Sequence, residues 1–508
     1  MASYSLNGFL VLAKAVSFTI LFCLLGPMCL LLSGCGGGGG SSPTGPTDPG
    51  EPLIITDLLK KGDFQHAQEM THVDLSAFGW GAEKAAQHSG YFALDELGNA
   101  TRQTFFWYSA AQSGREDAPV LLWLQGGPGA SSLFGMFTEI GPYGVSDGKV
   151  QPREVSWNQD YHLLFLDNPV GTGFSYTDLE DGFATTHEQA GEDIRNAISQ
   201  FFMLFPKLRS NDFYITGESY AGKWVPSAGY AIHLFNKFAS KDAQINLKGI
   251  SIGDGAFDPK GQFQGFGDLL WFLGMADASE RQKFQEYEGI IQDRLNSGDN
   301  VGAFETFDEM LNGDFYPYPT YYANVTGMST NYFNFELAPD ATPLGGDFVA
   351  WLQKPEVRAQ IHVGHRSYAP ANGTVEFHLK GVWMLGVVDE LVTLMENYKV
   401  LVYSGQNDVI LGPPLTERVV DALNWTGKAD YAAAKKVVWR RSATGTGSQL
   451  PDVAGYVRQA GNFTYAVVRG AGHMVPGDQP ERALDLLNHF ISGASFTSKE
   501  RTMTDIAV

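Results

Sequence analysis

Along most of this chain, short apolar runs alternate with longer stretches in which apolar and polar residues mix at helical spacing. Four runs stand out: PVLLWLQ (119–125), YHLLFLD (161–167), DFYITG (212–217) and YKVLVYSG (398–405). Each is apolar at nearly every position, so neither face is left for solvent, and each is predicted to be a strand covered on both sides. Between them lie helical patterns such as HEQAGEDIRNAISQFFMLF (187–205). Strands alternating with helices predict an α/β fold: a mostly parallel central sheet with helices on both faces. In such a sheet, functional groups belong beyond the carboxyl ends of the strands. Residues 256–346 break the pattern, with an acidic helical stretch followed by PYPTYYANVTGMSTNYFNF. They are read as a helical cap inserted into a catalytic core made of 53–255 and 347–497, with a polar tail at 498–508.

Composition narrows the function. A length of 508 residues accommodates a large catalytic domain with an insertion. The formal net charge of −21 opposes phosphate backbones and argues against nucleic-acid binding. The three cysteines, Cys23, Cys29 and Cys35, all precede residue 36, so the domain is expected to fold without disulfides. They lie in an apolar segment interrupted by Gly26-Pro27 and ending Leu32-Ser33-Gly34-Cys35. Residues 1–35 read as an export signal whose end resembles a bacterial lipoprotein signal, with Cys35 the lipidated residue. A cleaved signal peptide and an uncleaved anchor are the alternatives. The Gly/Ser/Pro-rich stretch 36–52 suits a flexible leash between lipid and domain. The expected location is outside the cytoplasm, at the cell envelope, with membrane contact only through that lipid.

The candidate chemistry begins where the third apolar run ends. Gly217-Glu218-Ser219-Tyr220-Ala221-Gly222 follows it directly and leads into a helix-compatible stretch. Strand, sharp turn with a central serine, and helix make a nucleophile elbow, although Ala221 stands where the strict pattern has glycine. A serine hydroxyl needs a histidine base oriented by a carboxylate. In elbow-type hydrolases the chain order is serine, acid, histidine. Asp408 follows the last of the four runs by three residues, and only His473 and His489 come after it. His489 sits on an amphipathic helical pattern, whereas His473 lies in the loop sequence RGAGHMVPGDQP. The triad is therefore read as Ser219, Asp408 and His473. Asp254, ending the strand-like GISIGDG, competes for the acid's place, and the later strand favours Asp408. The turn after PVLLWLQ, Gly126-Gly127-Pro128-Gly129, supplies close-approaching backbone, and the N–H groups of Gly127 and Tyr220 are the candidate oxyanion donors. Such a triad calls for no metal and no cofactor.

Three segments, QGGPGASS (125–132), GESYAG (217–222) and GAGHMVP (470–476), together resemble the signatures of the serine carboxypeptidases. DNPVGTGFSY (167–176) and KPEVR (354–358) extend the match, and the glutamine of LQGGPG and the GQND loop (405–408) most resemble the vitellogenic-like branch. The resemblance implies an α/β-hydrolase fold and peptide substrates with a free C-terminus. It also implies that Gln125, Gly126, Glu139 and Glu218 grip the substrate's terminal carboxylate; without it, Glu139 would read as a solvated helix residue. Two carboxyls sharing a proton would favour cleavage at acidic pH. Gln125 replaces the family's more usual asparagine, and Ala130 replaces a cysteine that many members pair. The same triad also serves esterases and acyltransferases, the competing enzyme class; a binding protein on a hydrolase scaffold is the non-enzymatic alternative. Five N-x-Thr triplets, at Asn99, Asn324, Asn372, Asn424 and Asn462, matter only in a glycosylating pathway.

Overall fold

In the computed structural model, residues 48–81, 85–95, 101–328, 332–337, 346–441 and 452–496 are described. The expected leader with Cys35, most of the leash, Asn99 and the tail lie outside them. In chain order the strands are β1 (Gln87–Ala93), β2 (Arg102–Ser109), β3 (Val120–Leu124), β4 (Tyr143–Ser146), β5 (Lys149–Pro152), β6 (His162–Leu166) and β7 (Tyr176–Thr177). They continue as β8 (Phe213–Glu218), β9 (Leu247–Gly253), β10 (Lys399–Gly405), β11 (Val437–Arg441), β12 (Asp452–Ala460) and β13 (Phe463–Val468). The four apolar runs are β3, β6, β8 and β10.

One large sheet runs β1-β2-β6-β3-β8-β9-β10-β13-β12-β11, with β7 beside β2 and β4-β5 a separate hairpin. From β6 to β13 every neighbouring pair is parallel, while antiparallel pairs close both edges. Along β3, Val120, Leu122 and Leu124 enter one apolar core, and Leu121 and Trp123 enter the other. That split is why the run shows no polar alternation: both pleat faces are dry.

The predicted helix forms over His187–Leu204, started by Thr186, whose hydroxyl accepts from the Gln189 N–H at 3.1 Å. It packs against the helix Ala221–Phe238 that follows the serine turn. Between β9 and β10 the described residues form helices, from Pro259–Gln262 to Val388–Asn397, and none joins the large sheet. The expected cap span lies inside this excursion. Residues 347–397, expected as core, also carry helices, and the next strand is β10 at Lys399. Their apolar runs, FVAWL (348–352) and VWMLGVV (382–388), fall in a helix and in the turn leading to the helix Val388–Asn397, so an apolar run by itself does not mark a strand here. Among the described residues, no helix is long and apolar enough to cross a membrane.

Candidate active site

Because the central strands are parallel, their carboxyl ends lie at one edge of the sheet. Gln125 follows β3, Ser219 follows β8, Asp254 follows β9, and Asp408 and His473 lie just beyond β10 and β13. Residues far apart in sequence are brought together there by topology alone.

Ser219 adopts a positive φ of 64°, a conformation unusual for a residue with a Cβ. The turn is held on all sides: its N–H donates to Gly253 O at 3.0 Å, and its carbonyl accepts from the N–H groups of Gly222 (2.9 Å) and Ala256 (3.0 Å). A Cβ at Gly217 would stand 2.5 Å from Leu124 O and one at Gly222 2.6 Å from the Ala256 nitrogen, so the close approaches fall at the two ends of this segment. The Ala221 methyl, one residue before Gly222, is fully buried without such an obstacle. This explains how the chain departs from the strict elbow pattern and still makes the turn. Gly126 faces the serine directly: a side chain there would come within 2.5 Å of both Ser219 Cβ and the Tyr220 nitrogen.

His473 is buried, and its Nδ1 lies 2.9 Å from Asp408 Oδ2. The second Asp408 oxygen accepts from the Leu411 N–H at 3.3 Å. His473 Nε2 has no partner among the described residues and, with Ser219, borders one cavity of about 460 Å³. Catalytic bonds of this kind commonly tighten only when substrate is bound. The histidine loop is clamped by the excursion: the His473 N–H donates to Phe333 O at 2.6 Å, and the Phe333 ring lies 4.9 Å from the imidazole, centre to centre. His489 faces elsewhere, near Asp485 at 3.7 Å and stacked on Phe496.

A pair of carboxyls borders the serine. Glu139 ends a single wide helical turn, Gly135–Glu139, and Glu218 is the last residue of β8; both are buried. Gln125 connects to this pair, accepting from Trp123 Nε1 at 2.8 Å and donating from Nε2 to Glu218 Oε1 at 2.7 Å. Burial pushes the Glu139 carboxyl up to about 8; burial and then the Glu139 charge push Glu218 well above its ordinary range. The nearby Arg153 guanidinium offsets part of this for Glu139, but its N–H groups are committed to the carbonyls of Phe137, Thr138 and Gly141. The two carboxyls lie within hydrogen-bond reach of each other, so a proton on one bridges to the other, with Gln125 beside both.

The family model for serine carboxypeptidases (peptidase S10) matches residues 80–493, most of the chain. The chain belongs to the serine carboxypeptidase family. Among its relatives is the venom serine carboxypeptidase of Apis mellifera, 40% identical over 450 residues, spanning 88% of this chain and 92% of the relative. The vitellogenic carboxypeptidase of Aedes aegypti is 38% identical over 455 residues, spanning 88% and 91%. A solved structure, the prohormone-processing carboxypeptidase KEX1(delta)p of Saccharomyces cerevisiae, shares the fold with a TM-score of 0.72 at 24% identity, covering 84% of this chain and 96% of that one. The chain is thus a serine-type carboxypeptidase with an α/β-hydrolase fold.

As a serine carboxypeptidase it also shows features that sequence reasoning passed over. Asp167 was legible only as part of a motif, without a role. Its buried carboxylate accepts from Ser131 Oγ (2.6 Å), the Ser132 N–H (3.1 Å) and the Phe174 N–H (2.8 Å), pinning the loop that carries Gly126 and Gly127. Burial pushes Asp167 up to about 6. Ala130, at the position where many family members have a paired cysteine, instead forms a backbone bridge with Ala371, flanked by Ser131 N–H to Pro370 O and Asn372 N–H to Gly129 O, both 3.0 Å. The far cavity wall, including Tyr332, Phe333, Trp383 and Glu376, comes from the excursion, whose packing no local pattern predicts.

Proposed function

We propose that this carboxypeptidase releases single C-terminal residues through an acyl-enzyme on Ser219, with His473 as base and Asp408 as its orienting acid. Ser219 Oγ attacks the last peptide carbonyl while His473 Nε2 takes its proton. The N–H groups of Gly127 and Tyr220 receive the developing oxyanion. His473 returns the proton to the leaving amine as the C–N bond breaks, and water hydrolyses the ester by the reverse proton path. Gln125, the Gly126 N–H, Glu139 and Glu218 hold the free carboxylate of the departing residue. The observation that carries this reading is the buried, mutually hydrogen-bonded carboxyl pair beside the serine, tied to Gln125: a protonated carboxyl donates to a carboxylate, whereas an ester or amide end offers nothing that needs such a donor.

The pH dependence follows from the sign of these shifts. Raised carboxyls keep their protons through the acidic and neutral range; as pH climbs through about 8 Glu139 ionises, and its new charge repels the substrate carboxylate while Glu218 keeps the remaining proton. The ratio of kcat/KM for a free-acid peptide to that for its C-terminal amide is therefore largest at acidic pH and falls through that window. The fall resides in KM, because the clamp acts on binding of the substrate carboxylate and not on the chemical step. Glu139→Gln/Glu218→Gln should flatten the dependence, since an amide donates without titrating. Equal cleavage of acid and amide by the parent enzyme at acidic pH would remove the clamp and favour the esterase or acyltransferase reading.

Residues 1–35 are proposed to direct export, with Cys35 carrying the lipid that tethers the enzyme to a membrane. The relatives whose names place them in venom or yolk formation suit an exported enzyme. Expression in a host that processes lipoproteins should place the parent in the membrane fraction and Cys35→Ala in the soluble one, with equal specific activity. Equal partitioning of the two would reject the anchor.

A further inference from the structure

Asp254 is a fully buried carboxyl without a part in the mechanism above. It follows β9 directly at a positive φ of 42°, and its N–H donates to Tyr403 O on β10 at 2.8 Å. Its Oδ1 accepts from the Gly405 N–H at 2.7 Å, three residues before Asp408. Its Oδ2 has no other partner in hydrogen-bond geometry among the described residues, and a carboxylate oxygen of Asp254, one of Asp408 and a ring nitrogen of His473 lie within 4.8 Å of one another.

Resting on the triad reading above, we infer that Asp254 is a positioning residue that stays neutral and presents its carboxylic O–H to the Asp408 carboxylate. Two carboxylates this close in a dry site cannot both ionise, so the pair holds one proton. Asp408 already accepts two hydrogen bonds, from the His473 Nδ1–H and the Leu411 N–H. Asp254 receives only the Gly405 N–H, so the proton resides there. Of the other ionisable groups near Asp254, Glu218 on β8, Tyr403 on β10 and Tyr465 on β13 are themselves pushed up by burial, so none of them offers Asp254 a stabilising positive charge. Burial and the Asp408 charge push the Asp254 carboxyl well up, in line with this arrangement. The O–H has two effects. It holds the plane of Asp408 through a contact additional to the imidazole. It also draws charge from Asp408, so that the imidazolium formed during catalysis is held less tightly and gives up its proton more readily to the leaving amine.

The experiment compares Asp254→Asn with Asp254→Gly in the full-length enzyme. Asparagine accepts from Gly405 with its carbonyl, donates to Asp408 with its amide, and tolerates positive φ; glycine tolerates the backbone and removes the donor. The glycine variant should lose about tenfold in kcat, as outer groups that orient catalytic residues commonly do. The acid limb of its kcat/KM profile should move to higher pH, because an undamped Asp408 holds the imidazolium more tightly. Asparagine should rescue kcat to within about threefold and keep the limb in place. If asparagine lowers the limb by about one pH unit or more, Asp254 was charged, and the inference fails. If the glycine variant loses thermal stability with an unmoved limb, the role is structural and the inference also fails. Should the glycine variant not fold, the asparagine profile alone still separates a neutral from a charged Asp254. Fluorophosphonate labelling at Ser219, run on the same preparations, shows separately whether the triad reading stands.

Discussion

Ser219→Ala should lower kcat about a million-fold, the typical loss when a triad nucleophile is removed. The turn should survive, because alanine needs no more room than serine and the bonds to Gly253, Gly222 and Ala256 use only backbone atoms. Peptide affinity should survive too, since Gln125, Glu139 and Glu218 are untouched. The expected result is therefore an inactive enzyme with near-parental melting temperature and near-parental Kd for a free-acid peptide. A fluorophosphonate should label the parent at Ser219 alone and leave the variant unlabelled. Labelling that persists in the variant would take Ser219 out of the mechanism.

Asp408→Asn carries the second-largest expected effect, a loss of about 10⁴-fold in kcat. His473 Nδ1 lies 2.9 Å from Asp408 Oδ2, and the carboxylate requires a proton on Nδ1, which leaves Nε2 free as the base. An asparagine that turns its amide toward Nδ1 drives the proton to Nε2 and blocks the base while the ring stays in place. The same substitution at Asp254 should be mild, for the reasons given above. Measuring kcat/KM of both variants against one chromogenic peptide decides between the two aspartates. A severe loss at Asp254 with a mild one at Asp408 would exchange their assignments.

The sequence showed some of this plainly and hid other parts for definite physical reasons. The strands β3, β6, β8 and β10 were legible because a strand dry on both faces has a local signature, an unbroken apolar run. Ser219, Asp408 and His473 were legible as candidates because each sits just past such a run or in a glycine-rich loop. Glu139 was not, since its partner Glu218 lies on a different element and only the packing of the Gly135–Glu139 turn joins them. It entered through family resemblance. Asp254 was legible as a strand-end carboxylate and a rival to Asp408, but not as its neighbour. Their adjacency depends on β9 lying beside β10, a crossover that skips the whole helical excursion of 254–398. The wall that the excursion contributes was hidden for a similar reason: its side chains reach the cavity through long-range packing, which leaves no periodicity to read.

The grip of Phe333 on His473 has a consequence for how such an enzyme can diversify. Phe333, which lines the cavity from the excursion, also holds the main chain and ring of His473, the proposed base. Substrate preference and proton transfer are thereby mechanically linked. An excursion exchanged wholesale for one from another hydrolase would alter turnover along with selectivity. New specificities are more accessible through single side-chain replacements on its inner surface, with the Phe333 backbone kept as a fixed mount for the imidazole.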